Sequence, residues 1–486
     1  MNELDLQPQQ PSESGPDIRI IRGEICRLIG ARVEILQKLE DFVHASIQKA
    51  IEIAIQTGEF SQAFGIESAT NVRYTVEIDF LPGAKDFTSI LRLVTVSLVL
   101  SDRTRFTKKM VAKLAFDKTQ PRILQDPSAL SSLNKHLSNK TEEEFKRTQV
   151  LQGCLKERIL PKGFFCVSVP DSKGTLAFYE LIEGSTLEEV ILSSSLTSKE
   201  VSYLFFEVGQ QLATWHSSLL LNRDSFTENS KCFTNRTDRI EAYKRKFPNF
   251  RSLLDALVTI FNKWVSTKNQ ATPAAIFHES EEFTKKINVI WSKIEQHLAE
   301  FKDSNNGQLV LCHGDFKPEN IIVQKTGQPR VCFIDNDAFY GLPGLDLFKM
   351  VSRTVPILLL YPNLEQTILN CLVNFLTAYF ANQQHSSEVS GNLTLPNLPN
   401  YLVSVFIALD LISILDSYST IDPGLLQFYP FLSRVFFNEP DRSLTSLLNA
   451  IYVILNLDDD PNSSLEDYLS KIVCVFAENS YVRPNS

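Results

Sequence analysis

The sequence predicts an α+β protein, with a small antiparallel β-sheet that carries one helix and a larger, mainly helical portion after it. Three observations predict this. Between residues 72 and 182 the chain reads strand, strand, strand, helix, strand, strand. After Gly184 the apolar positions recur mostly at helical spacing. Around residue 310 two short apolar strands interrupt the helices and carry carboxylates and an amide at their ends.

The elements follow in order. Residues 1–17 are polar and rich in Pro, Ser and Gln, and read as a disordered tail. Residues 18–70 read as an N-terminal helical extension. Its apolar side chains at Ile25, Leu28, Ile29, Leu36, Leu39, Val43, Ile47, Ala50 and Ala54 fall close to helical spacing over residues 20–57. The stripe fits packing on the domain behind it, and a homodimer contact through the same helix is the second reading. Gly23 and Gly30 weaken the start of this helix.

From Val72 the period changes. Tyr74–Phe80 alternates as a half-buried strand does, and Pro82-Gly83 marks a turn. Ile90–Leu100 and Met110–Phe116 are the next two strands. Residues 141–158 are polar-rich and helical, and Phe164–Val169 and Thr175–Ile182 complete a five-stranded sheet. Ser198–Ser217 is an amphipathic helix with Val201, Leu204, Phe205, Val208, Leu212 and Trp215 on one side. Residues 218–306 read as helices with polar joints, and Gln308–Cys312 and Arg330–Ile334 as short strands. From Leu345 onward a helical bundle is expected, with residues 382–400 as a loop within it.

Composition narrows the function classes. The chain has 486 residues, 43% hydrophobic and 22% charged, which is ordinary for a globular protein able to bury a large core. Lys plus Arg total 48 against 57 for Asp plus Glu, a formal charge of −9. This balance argues against a nucleic-acid partner, which calls for a basic face. The eight Cys are scattered without a C-x-x-C pair and read as reduced, cytoplasmic thiols. No signal-peptide pattern opens the chain, and no window approaches the ~18 apolar residues of a membrane span, so no membrane partner is expected.

The informative segment is Leu309–Val323, followed by Val331–Asp337 and Gly344–Leu347. An apolar strand leads into a polar loop bearing Asp315, with Asn320 five positions on. A short hairpin follows, and a second apolar strand ends at Asp335. Phosphoryl transfer uses such a set: one carboxylate accepts the proton of the attacking hydroxyl or orients it, and a second carboxylate with an amide oxygen holds Mg²⁺. Asp315, Asp335 and Asn320 fit these roles in turn. Asp337, two beyond Asp335, fits either a second metal contact or a cap on the following turn. Lys113 sits mid-strand among apolar residues, where a charge is costly unless paired.

His313-Gly314-Asp315 with Asn320, followed by Ile334-Asp335, resembles the motif of the aminoglycoside phosphotransferase and choline kinase superfamily. The resemblance spans about residues 72–360. It implies a protein-kinase-like, two-lobed fold: a nucleotide-binding sheet over 71–183, then a helical C-lobe over 184–486 with its catalytic loop at 313–320 and a metal-binding segment at 333–337. It implies Asp315 as the catalytic base, and Asn320, Asp335 and Asp337 as metal ligands. Phe316–Asn320 also resembles the catalytic loop of Ser/Thr protein kinases, which implies that Lys317 contacts the transferring phosphate. Gly314 in place of Arg, and the absence of Asp-Phe-Gly, depart from that pattern.

Further expectations follow from the same resemblance. Lys113 holds the ATP phosphates and pairs with a Glu on the next helix, Glu144 first and Glu143 second. Gly83 and Ser89 cover the phosphates, in a loop with one Gly where protein kinases have three. Tyr179–Leu187 resembles the hinge that meets adenine, with contacts at Glu180 to Ile182. His216 and His313 are expected to pack rather than to do chemistry, and Asp346 to support the loop. The expected activity is transfer of the ATP γ-phosphate, with Mg²⁺, to a hydroxyl of a small molecule in the cytoplasm. The alternatives are a pseudokinase nucleotide-binding or interaction module, and a kinase acting on proteins.

Overall fold

The computed structural model describes residues 33–66, 73–81, 89–100, 103–115, 130–155, 159–169, 174–193, 196–221, 233, 310–325, 330–341, 344–390 and 464–480, with scattered positions between 403 and 457. The expected tail at 1–17, the turn at Pro82-Gly83 and nearly all of 222–309 lie outside these residues. The chain divides into two compact units. The first comprises Met1–Asn139 with Val167–Leu176, and the second comprises Lys140–Cys166 with Ala177–Ser486.

In the first unit, helix α1 (Val33–Gln56) is followed by a short helix α2 (Glu59–Phe64). Gly58 and Gly65 stand at the ends of α2 with φ of +80° and +62°. The apolar stripe seen in the sequence becomes a buried face: Val43, Ile47, Ala50, Ile51 and Ala54 are all buried. Strands β1 (Arg73–Phe80), β2 (Ser89–Val99) and β3 (Arg105–Ala115) form an antiparallel meander. β2 alternates strictly, burying Ile90, Val94, Val96 and Leu98. β3 begins five residues before the expected Met110, because Arg105–Lys109 pairs in register with Thr95–Val99.

One buried charge interrupts this face. Arg92 of β2 is 1% exposed and Glu40 of α1 is 5% exposed. Two guanidinium nitrogens of Arg92 donate to the two carboxylate oxygens of Glu40, Nε at 3.3 Å to Oε2 and Nη2 to Oε1. The guanidinium also lies 4.8 Å from the centroid of the Phe80 ring. The pair fixes α1 on the sheet at one position.

Helix α3 (Leu130–Cys154) crosses the division between the units at Lys140, and strands β4 (Gly163–Val169) and β5 (Gly174–Glu180) cross it as well. The five-stranded sheet has the order β1-β2-β3-β5-β4. This is the antiparallel sheet with one helix that the sequence predicts.

The second unit continues with β6 (Gly184–Thr186), α4 (Leu187–Leu192) and α5 (Ser198–Leu221). Then come β7 (Val310–Cys312), a 3₁₀ turn at Pro318–Asn320, β8 (Ile321–Gln324), β9 (Val331–Phe333) and β10 (Phe339–Gly341). Helices α6 (Gly344–Thr354), α7 (Glu365–Ser390) and α8 (Leu465–Glu478) follow. Thr186 and Ser464 start α4 and α8 with capping boxes, each hydroxyl accepting from the backbone N–H three residues on. One continuous core joins α5, the strands and α6 to α8 through residues such as Leu204, Val208, Leu212, Trp215, Phe316, Phe333, Phe375 and Phe476. No described helix is long and apolar enough to cross a membrane.

The expected loop at 382–400 is corrected in its first part. Helix α7 runs through to Ser390. The segment Asn382–Ser390 is polar, but it contains no Pro and no Gly, and the first Gly stands at 391. Polarity alone leaves a helix intact when it has no breaker.

Glu40→Gln should lower the stability of the protein by about 3 kcal/mol, because it strands the buried Arg92 cation. The double replacement Glu40→Leu with Arg92→Met should recover most of that loss. Urea denaturation followed by circular dichroism measures both.

Candidate active site

Strand β7 delivers the site. Val310, Leu311 and Cys312 are all buried, and the Leu311 carbonyl accepts a 2.8 Å bond from the Trp215 indole on α5. The chain then turns at Gly314, whose φ is +87°. A Cβ at this position would lie 2.4 Å from the Asp337 carbonyl oxygen, so both conformation and space call for glycine.

The turn is held by one buried carboxylate. Asp346, in the first turn of α6, is 1% exposed. Its Oδ2 accepts from the His313 backbone N–H at 2.6 Å, and its Oδ1 accepts from the Gly314 N–H at 3.0 Å. His216 of α5 bonds Asp346 Oδ2 through Nε2 at 3.1 Å and the Tyr379 hydroxyl through Nδ1 at 2.7 Å. Burial pushes the Asp346 carboxyl up, but the His216 bond and charge and the Gly314 amide outweigh this, and it stays below its usual range. Asp346 therefore supports the loop as the sequence implied, and His216 is part of that support.

His313 is fully buried, with its ring against Trp215, Phe316 and Phe333. Burial drives its pKa down against the pull of Asp346, Asp315 and Asp335, which favours the neutral ring. Its Nδ1 accepts from the Asp315 backbone N–H at 3.4 Å. It is a packing and hydrogen-bonding group of the loop.

Asp315 leaves this turn partly exposed, with three partners on its side chain. Asn320 donates from Nδ2 to Oδ2 at 2.8 Å and to the Asp315 carbonyl at 2.9 Å. Lys317 Nζ meets Oδ2 at 2.8 Å, and Lys349 Nζ of α6 meets Oδ1 at 2.5 Å. Burial would raise the Asp315 pKa, yet the two ammonium groups hold it well below the usual carboxylate range. Burial and Arg353 would lower the pKa of Lys317, but Asp315 and Glu319 raise it. At neutral pH Asp315 is therefore an anion, and Lys317 beside it a cation. Lys349 was not singled out from the sequence; its position one turn past Asp346-Leu347 on the same helix was the available signal.

The second segment lies beside the first. The Ile334 N–H donates to the Asn320 carbonyl at 2.9 Å, and the Asp337 N–H to the His313 carbonyl at 2.9 Å. Asp335 follows β9 in the left-handed region, with φ +59°, and its side chain is exposed. Asp337 Oδ1 lies 3.6 Å from Arg147 on α3. Asn336 Nδ2 reaches the Thr148 hydroxyl at 3.5 Å. Arg147 is a second residue that sequence reasoning missed; attention fell on the carboxylates one turn earlier in α3.

Of the remaining predicted residues, Lys113 is buried mid-β3 opposite Leu91 and belongs to the first unit, while Glu144 is half-buried on α3 and belongs to the second. Ser89 is the first residue of β2, and Gly83 lies outside the described residues. Glu180 ends β5, where its N–H donates to the Lys162 carbonyl at 2.8 Å, and Ile182 is half-buried in the short link to β6. β6 then pairs antiparallel with β8, and β8 with β9. A Cβ on Gly184 would fall 2.1 Å from the Val323 carbonyl, so glycine permits this close approach.

Residues 117–364, just over half the chain, match the sequence model of the phosphotransferase enzyme family. The chain belongs to the phosphotransferase enzyme family. The match contains α3, the loop at 313–320, the segment at 333–337 and Asp346. No curated protein matches this phosphotransferase. Among solved structures it is similar to a candidate aminoglycoside phosphotransferase of Ralstonia eutropha JMP134, with 11% identity, coverage of 87% of this chain and 99% of that chain, and a TM-score of 0.38. An ethanolamine kinase of Plasmodium vivax shares 15% identity, with 80% and 86% coverage and a TM-score of 0.34. A thermostable mutant of the aminoglycoside phosphotransferase APH(4)-Ia, in complex with ADP and hygromycin B, shares 12% identity, with 79% and 96% coverage and a TM-score of 0.36.

Asp346→Asn in this phosphotransferase replaces one of two acceptors by a donor facing an N–H. It should lower phosphoryl transfer by roughly a hundredfold, a loss of about 3 kcal/mol in loop positioning. It should also lower the thermal midpoint, read by differential scanning fluorimetry.

Proposed function

We propose that this phosphotransferase moves the γ-phosphate of ATP to a hydroxyl of a small molecule. The observation that carries the reading is the grip on Asp315. Asn320 and Lys317 hold one oxygen of an ionised carboxylate in the loop after β7. A carboxylate held so far into its ionised range is a weak proton acceptor. Its chemistry is to accept a hydrogen bond from the incoming hydroxyl and orient it for in-line attack. Phosphoryl transfer through a loose transition state asks for positioning and electrostatics more than for proton abstraction.

The residues fit a magnesium ion. The Asn320 amide nitrogen is committed to Asp315, which leaves its oxygen as a donor to a cation, and Asp335 offers an exposed carboxylate at the end of β9. An all-oxygen set with few protein ligands suits Mg²⁺. Bound there with ATP, the ion would neutralise charge on the phosphates. Asp337, held near Arg147, is a secondary candidate ligand. Lys317 keeps its proton throughout the physiological range and can turn its charge toward the transferring phosphate. For the nucleotide the proposal names Lys113, Ser89, Gly83 and the Glu180–Ile182 link. The scattered cysteines support a cytoplasmic setting.

Asp315→Asn should reduce transfer by on the order of a thousandfold or more while ATP with Mg²⁺ still raises the thermal midpoint. Full activity in this variant, measured as ADP release with an acceptor mixture, overturns the mechanism. A pH series gives a second check. The folded-state pKa of Asp315 lies below its unfolded value of about 3.9, so the stability it contributes is complete above that value and is lost as pH falls through the folded pKa. The gap in thermal midpoint between the parent protein and Asp315→Asn should hold steady from pH 8 to pH 5 and narrow below about pH 4.

A further inference from the structure

We infer that Lys349 selects the acceptor, and that the acceptor carries an anionic group, a carboxylate or a phosphate, close to the hydroxyl that receives phosphate. This rests on the phosphotransfer reading and concerns the other side of the same carboxylate.

The two oxygens of Asp315 are unlike. Oδ2 is taken by Asn320 at 2.8 Å and by Lys317 at 2.8 Å, both from the loop itself. Oδ1 has Lys349 at 2.5 Å, from a different element, α6. A hydroxyl that hydrogen-bonds Asp315 must approach the oxygen that the loop leaves open, and Lys349 stands at that oxygen. Its side chain is 17% exposed, within reach of a small molecule but largely shielded from water.

α6 carries a second cation. One turn beyond Lys349, Arg353 binds Asp410 Oδ2 through Nε at 2.8 Å, and Ser352 donates to the same oxygen at 2.6 Å. Asp410 is therefore already satisfied by α6. Burial would raise its carboxyl, but Arg353 and Lys349 hold it down, so it remains ionised beside them. Among the described residues, a further charge at this corner is Glu319, which acts on Lys317.

An ammonium at the acceptor oxygen discriminates by sign. A cationic acceptor would place a second positive charge beside Lys349 within hydrogen-bonding range of a partly desolvated site. An anionic acceptor would take a charge-assisted bond from Nζ as the hydroxyl displaces it from Oδ1. Lys349 would then pass from the carboxylate of the enzyme to that of the acceptor, and Asp315 would be released only when an acceptor of the correct sign arrives.

The test uses the full chain with Mg²⁺ and γ-labelled ATP. A small-molecule extract is separated by ion exchange into anionic, neutral and cationic pools, and label transfer is measured for the parent protein, Lys349→Met and Lys349→Arg. The expected result is transfer chiefly to the anionic pool. With purified anionic product precursors, the acceptor KM should rise about tenfold to a hundredfold in Lys349→Met, return part-way in Lys349→Arg, and leave the KM for ATP unchanged. Transfer chiefly to the cationic or neutral pool overturns the inference while leaving phosphotransfer standing. An equal fall in turnover with all three pools in Lys349→Met also overturns it, since that is the mark of a residue that only steadies Asp315.

Discussion

The carboxylate of Asp346 is the constraint from which the site is built. It lies at the start of one helix, takes two backbone N–H groups from the turn after β7, and is backed by a histidine from α5 that is itself tied to Tyr379 on α7. Four elements of the second unit thus meet through one buried anion. Two backbone amides that a left-handed glycine turn would leave orphaned are satisfied among buried residues. The charge itself is tolerated because its three bonds come from donors fixed by the core. The loop that presents Asp315 is therefore tied to the helices behind it, although it has no regular structure beyond a single 3₁₀ turn.

These bonds place the loop; the distribution of charge on it gives the site its chemistry. Asp315 faces two lysines that keep it ionised, and Asn320 links it to the neighbouring strand pair through the Ile334 amide. On the far side, Arg147 and Thr148 of α3 touch Asp337 and Asn336. The two chain segments that supply the carboxylates are thus each cross-braced by a helix, α6 for the first and α3 for the second. Neither brace comes from the loop itself.

The parts of the site that were legible in the sequence are those within one short stretch. His313, Gly314, Asp315 and Asn320 lie within eight residues, and their roles follow from a turn, a carboxylate and an amide at fixed offsets. The five-stranded sheet was legible because β1, β2 and β4 alternate in burial and are punctuated by turns. Lys349 was not, because a lysine on an amphipathic helix reads as a solvated face, and only the placement of α6 by Asp346 aims it at Asp315. Arg147 was hidden in the same way within the polar surface of α3. The end of α7 was misread because composition suggested a loop where no residue forbids a helix. In each case the missing information was tertiary: which face of a helix a remote contact turns inward.

Asn320 carries one further consequence. Its amide nitrogen gives two hydrogen bonds to Asp315, one to the carboxylate and one to the backbone carbonyl. Hydrolytic deamidation to aspartate, a common ageing reaction of asparagine, would place a second anion against Asp315 and abolish both donations at once. The reaction requires the backbone nitrogen of the following residue to attack the side chain, and the Ile321 N–H is held by the Pro318 carbonyl, behind a β-branched side chain that is itself buried. The same tight turn that aims the amide thus opposes its own slow chemistry.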